Sequence, residues 1–126
     1  MKTWVYPDVF RYQFEQKMEY VESLLVRLGA IPLNYYVTQK VPLNGKVVYR
    51  TSIPQRMVYR YKKVYLQVNE ILFPDKPFIT IRWTDRLERI NRNMMESFDP
   101  FPYDWSREEM LKEVMSLLKN FENKAS

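Results

Sequence analysis

Asp99, Asp104, Glu108 and Glu109 lie close together in the chain, around the aromatic-proline run Phe101-Pro102-Tyr103. Two such carboxylates can divide acid and base roles in a hydrolase, and their oxygens can hold calcium or magnesium. Their spacing fits no EF-hand loop. Glu108 and Glu109 also fall where a helix would make its first turn after Ser106, and acids there complement the helix dipole. Asp104 reads as an ordinary connector residue, so the plainer account is the stronger. The serines Ser23, Ser52, Ser97, Ser106 and Ser116 have no base to activate them, because the chain contains no histidine and no cysteine. That absence removes imidazole bases, thiol nucleophiles, thiolate zinc sites and disulfides together. Gly29 and Gly45 are the only glycines. They serve as a helix stop and a hairpin turn, which leaves no glycine-rich phosphate cradle and no dinucleotide fingerprint. The sequence suggests no cofactor, no metal and no enzyme.

Binding chemistry is better represented. From Tyr49-Arg50 through Arg56-Met57-Val58-Tyr59-Arg60-Tyr61-Lys62-Lys63-Val64-Tyr65, cations alternate with aromatic rings. Arg50, Arg56, Arg60, Lys62 and Lys63 supply charge, and Tyr59 and Tyr61 supply rings. On a wet strand surface such a row suits an acidic protein, or phosphates with stacked bases. The structural alternative is that tyrosine is at home in strands and that lysine guards sheet edges. The wider charge pattern favours a surface. No acidic residue occurs between Glu22 and Glu70, whereas Arg27, Lys40, Lys46, Arg50, Arg56, Arg60, Lys62 and Lys63 all lie in that interval. The stretch after Arg92 is richer in acids. A net charge of +5 distributed this way gives a polar molecule whose basic end attracts an acidic partner.

The elements that must carry these residues follow from periodicity. Phe10, Phe14, Met18, Val21, Leu25 and Leu28 recur at helical spacing, with Asp8 as the expected N-cap and Gly29 as the stop, so a helix is expected over 9–28. From Leu33 to Trp83 the period falls to two. Asn44-Gly45 suits a type I′ turn between strands Leu33–Leu43 and Lys46–Ile53. A third strand begins at Arg56, with Met57, Tyr59 and Tyr61 on the core row and Arg56, Val58 and Arg60 on the wet row. The apolar phase then shifts to Val64, Leu66 and Val68, which requires a turn or bulge near Lys62-Lys63. Phe78–Trp83 is the last strand, with Ile79, Ile81 and Trp83 facing in. Leu87, Ile90, Met94 and Phe98 predict a helix over 86–98 with Asp85 and Glu88 as a capping pair. Ser106 and Glu109 form a capping box ahead of Met110, Val114, Leu117, Leu118 and Phe121, and Trp105 with Met110 can form a hydrophobic staple, giving a helix over 107–121. The methionines Met94, Met95, Met110 and Met115 read as core filling.

A chain of 126 residues with 46% hydrophobic content can bury a core of its own. The expectation is one soluble α+β domain over residues 1–126. It has an antiparallel sheet of about four strands in the order α-β-β-β-β-α-α, with the helices laid across one face. The N-terminal residues lack a signal-peptide core, and no stretch is long and apolar enough for a membrane span, so a cytoplasmic location is expected. The functional expectation is a small non-catalytic interaction protein, an adaptor, inhibitor or immunity-type binder that engages an acidic protein partner. The alternative is a nucleic-acid-associated domain using the same arginines and tyrosines, although no RNP-type motif is present. The sequence sets no oligomeric state.

Overall fold

The computed structural model describes residues 6–33, 37–52, 56–91 and 94–122, and for residues 37–43, 46–52 and 91 it describes the backbone. The elements in chain order are α1 (Asp8–Arg27), β1 (Ile31–Leu33), β2 (Val37–Leu43), β3 (Lys46–Ser52), β4 (Val58–Tyr61), β5 (Val64–Leu72), β6 (Pro77–Thr84), α2 (Glu88–Asn91), β7 (Glu96–Ser97), β8 (Phe101–Pro102) and α3 (Arg107–Glu122). The main sheet is antiparallel with spatial order β1-β4-β5-β6-β7, and β8 also pairs with β6. β2 and β3 form a separate two-stranded ribbon. The fold is α+β as expected, with more strands than the four anticipated.

α1 forms because its apolar residues fall on one stripe, and Phe14, Met18, Val21, Leu24 and Leu25 are buried. Its start differs from expectation. Pro7 is the N-cap and makes no side-chain cap bond, and Asp8 is already in the first turn, where its charge suits the dipole. Its end is a Schellman motif. The Gly29 N–H donates to the Val26 carbonyl at 3.1 Å and the Ala30 N–H to Leu25 at 2.8 Å, with Gly29 at φ +112°. α3 begins on the expected capping box. The Ser106 hydroxyl accepts from the Glu109 N–H at 3.1 Å, while the Glu109 carboxylate accepts from the Ser106 N–H at 3.2 Å. Trp105 stacks on Phe101, with ring centroids 5.5 Å apart.

Both long helices cover one face of the sheet. Tyr59 and Tyr61 of β4, Val64, Leu66 and Val68 of β5, and Ile79 and Ile81 of β6 meet the buried stripes of α1 and α3. Trp83, Phe98 and Phe121 close the α3 end, with Trp83 and Phe121 centroids 5.3 Å apart. The Lys17 ammonium donates to the Trp105 carbonyl and ties α1 to the entry of α3.

Three expectations are corrected. The helix over 86–98 reduces to Glu88–Asn91, because the chain then returns alongside β6. Glu96 and Ser97 pair with Trp83 and Arg82, the Phe98 N–H donates to the Ile81 carbonyl at 3.0 Å, and the Thr80 hydroxyl donates to the Phe98 carbonyl at 2.7 Å. Backbone pairing thus outcompetes the helical apolar spacing. Met94 is consequently exposed, as is Met115 on the outer face of α3, so of these only Met110 is deep in the core. The expected strand Leu33–Leu43 is divided, because Ile31–Leu33 pairs with β4 whereas Val37–Leu43 pairs with β3. Finally, Val58 is fully buried while Met57 is 42% exposed, which reverses the row assignment at the start of β4.

Candidate functional site

The β4–β5 hairpin carries most of the candidate residues. Tyr61 stands opposite Val64, so Lys62 and Lys63 are the two turn residues, as the phase shift required. Lys62 adopts φ +54°, a left-handed conformation usually left to Gly, Asn or Asp. That costs about 1 kcal/mol or more for a residue with a Cβ. The turn nevertheless presents two exposed lysines, with the Lys62 ammonium 5.6 Å from the centroid of the Tyr61 ring. Arg60, one pair back along the hairpin, is exposed too. It stands opposite Tyr65 on one side and the exposed Ile31 on the other.

Tyr59 and Tyr61 do not join this surface. Both point under the helices, 6% and 7% exposed respectively. The Tyr59 hydroxyl donates to the Glu22 carboxylate of α1 at 2.9 Å. Burial, then that hydrogen bond and the Glu22 charge, raise the Tyr59 phenol far above its ordinary range. Burial and the negative charge of Glu122 likewise raise Tyr61. Strand alternation places both rings on the same face as Leu66, as the core-row assignment expected, so neither is free to stack on a ligand as the binding role assigned to them requires.

The remaining arginines are separated from the turn. Arg56 lies beyond the other end of β4, about 13 Å along an extended chain from Arg60. It is partly buried and paired with Glu70 at 3.7 Å, and its carbonyl accepts from the Gln67 side chain. Arg50 stands opposite Gln39 in the β2–β3 ribbon, and its side chain lies outside the described residues. The structure therefore gathers Arg60, Lys62 and Lys63 and leaves Arg56 in an internal pair.

The acidic residues near α3 have structural partners. Asp104 accepts from the Lys76 ammonium at 3.4 Å, and Glu109 belongs to the capping box. Among the described residues no group of three or more acids could hold a metal ion.

Sequence alternation missed the second face of the sheet. Thr80 and Thr84 alternate with the inward Ile79, Ile81 and Trp83, which reads as a solvated row, yet both threonines are buried. Arg82 between them is half-buried, and burial lowers its pKa. The buried side-chain Oδ1 of Asn69, opposite Thr80, has no hydrogen-bond partner among the described residues. The signal available in sequence was the threonines themselves, which tolerate either face of a strand.

The arrangement can attract and orient negative charge, with Arg60 also able to grip a carboxylate in two-pronged fashion. No helix among the described residues is long and apolar enough to cross a membrane. Comparison with protein-family models, with curated proteins and with solved structures finds no match to this chain.

Proposed function

We propose that this chain is a small non-catalytic interaction protein, an adaptor, inhibitor or immunity-type binder, that engages an acidic protein in the cytoplasm through Arg60, Lys62 and Lys63. One observation carries the reading. These cations stand together and exposed at the β4–β5 turn, and none belongs to an ion pair among the described residues. Lys62 sits there despite a backbone conformation that favours glycine. A two-residue hairpin turn imposes positive φ on a central residue, so lysine in place of glycine there adds charge at a backbone cost. Nucleic-acid binding is weaker as an account, because Tyr59 and Tyr61 are buried and stacking on single-stranded bases depends on accessible rings.

The test is affinity capture from native cells with wild-type bait and with Arg60→Glu/Lys62→Glu/Lys63→Glu. The triple reversal should stay within about 0.5 kcal/mol of wild-type stability per exposed site and lose the captured partner, with slower association and a flatter dependence on salt. A partner retained equally by both baits overturns the proposal. Release of that partner by nuclease, together with direct oligonucleotide binding, would favour phosphate recognition instead.

A further inference from the structure

The β2–β3 ribbon has a property that the main sheet lacks. Pro42 has no N–H, so the Pro42↔Val47 pair cannot be one of the pairs that exchange two backbone hydrogen bonds. The exchanging pairs are therefore Leu43↔Lys46, Val41↔Val48, Gln39↔Arg50 and Val37↔Ser52, which agrees with the two-residue turn at Asn44 and Gly45, both at positive φ. It follows that Val47, Tyr49 and Thr51 direct their N–H and C=O groups away from β2. On the outer edge of β2, Pro42 offers no donor, and α2 lies beside that strand.

The main sheet is closed to strand addition by the same device. Pro32 stands opposite Tyr59 as a non-exchanging pair, so the outer edge of β1 offers a carbonyl and no donor. The other side ends in the two-residue strands β7 and β8, with Pro100 just before β8 and Pro102 within it. Among the described residues, β3 is the long strand whose outer edge carries an unbroken alternation of donors and acceptors, and it pairs with β2 alone. A two-stranded ribbon is marginal in water by itself, and a helix packed against it or a third strand stabilises one; here α2 contacts β2, and the outer edge of β3 is left for a strand.

We infer that the outer edge of β3 (Lys46–Ser52) receives an extended acidic segment of the partner protein as an added antiparallel or parallel strand. The inference rests on the acidic-partner reading above and specifies how that partner docks. Charge selects the occupant. The ribbon lies wholly within the interval that contains no acidic residue, with Lys46 and Arg50 on β3 and Lys40 on β2. An incoming strand bearing Glu or Asp gains favourable cross-strand pairs, whereas a second copy of this chain brings a second cationic ribbon against the first. Main-chain pairing supplies affinity and side-chain charge supplies selectivity, as in other strand-addition complexes.

The experiment uses the full chain and a capped peptide about eight residues long that alternates Glu with Thr, added up to about 1 mM. A second peptide of identical sequence is N-methylated on alternate residues, in each of the two phases, which retains charge and removes backbone donors. Amide hydrogen exchange is followed by NMR. The unmodified peptide should slow exchange of the Val47, Tyr49 and Thr51 amides about tenfold or more at saturation, and by a larger factor than it slows the Val48 and Arg50 amides, which β2 already bonds. At least one N-methylated peptide should fail to do so. Thr51→Pro, which removes an outward donor at an edge position that tolerates proline, should abolish the slowing while Val48 and Arg50 stay protected. Equal binding of all the peptides, or no slowing at those three amides, overturns strand addition. If capture of the native partner still depends on Arg60, Lys62 and Lys63 in that case, the acidic-partner reading survives without it.

Discussion

Replacing Tyr59 by Phe removes one hydroxyl and keeps the ring in the core, so its cost isolates the link between β4 and α1. That hydroxyl donates to the Glu22 carboxylate at 2.9 Å. A hydrogen bond to an ionised group contributes about 1.5–3 kcal/mol, and because Glu22 is only partly buried and can recover water, the lower end, about 1.5 kcal/mol, is expected at pH 7. A second signature lies at high pH. Burial, reinforced by Glu22, raises the Tyr59 phenol, so the folded protein keeps a proton that the unfolded chain releases near pH 10. The contribution is whole below that pH and is lost as pH rises, at about 1.4 kcal/mol per pH unit for one such tyrosine. Tyr61 is raised as well. Tyr6 is raised too, so wild-type stability should fall more steeply above pH 10 than that of Tyr59→Phe, once the titrations common to both are subtracted. Urea titrations followed by tryptophan fluorescence from pH 7 to pH 11, repeated in a Glu22→Ala background, measure both effects. Parallel alkaline decline in the two proteins, or an undiminished cost of Tyr59→Phe when Glu22 is absent, would refute the reasoning.

Other substitutions test the local architecture. Ser106→Ala should cost about 1 kcal/mol by chemical denaturation, through loss of the hydroxyl that accepts from the Glu109 N–H. Gly29→Ala should cost about 1–3 kcal/mol for backbone reasons, since φ is +112° and, among the described residues, the new methyl would meet Tyr61 Cε1 at an ordinary 3.7 Å. A cost below about 0.5 kcal/mol would show that the chain can leave this conformation freely. Lys62→Gly should match or slightly exceed wild-type thermal stability, because relief of the left-handed strain offsets the roughly 0.5–1 kcal/mol entropic cost of glycine. The same variant should capture the partner less well, and a clear loss of stability would contradict the strain argument.

The long helices were legible because their evidence is local and redundant. In α1 and α3 the apolar stripe, the stop at Gly29 and the Ser106/Glu109 box agree with one another. The Asn44-Gly45 and Lys62-Lys63 turns were legible for the same reason, one from residue type and the other from a shift of phase. The segment 86–98 was not, since Leu87, Ile90, Met94 and Phe98 satisfy a helical period while the edge of β6 offers the same backbone alternative partners. Local spacing cannot weigh that competition. The candidate site was half legible. Arg60, Lys62 and Lys63 emerge together, but Tyr59, Tyr61 and Arg56 are drawn off to Glu22, to the core and to Glu70. Alternation groups residues by face without saying which face is dry, and Val58 shows that here neither face is wholly wet.

The contact between α1 and α3 also fixes when the core can close during synthesis. Lys17 and Tyr20 bond to carbonyls of Trp105 and Arg107, partners 88 and 87 residues further along the chain. At translation rates of about 5–20 residues per second, the apolar stripe of α1 waits several seconds or more for the helix that covers it. During that interval Phe14, Met18, Val21, Leu24 and Leu25 have the sheet face to pack against but not α3. Proline at the borders of the main sheet guards the finished fold, but not the nascent chain, whose first helix lacks its α3 neighbour until that helix has emerged.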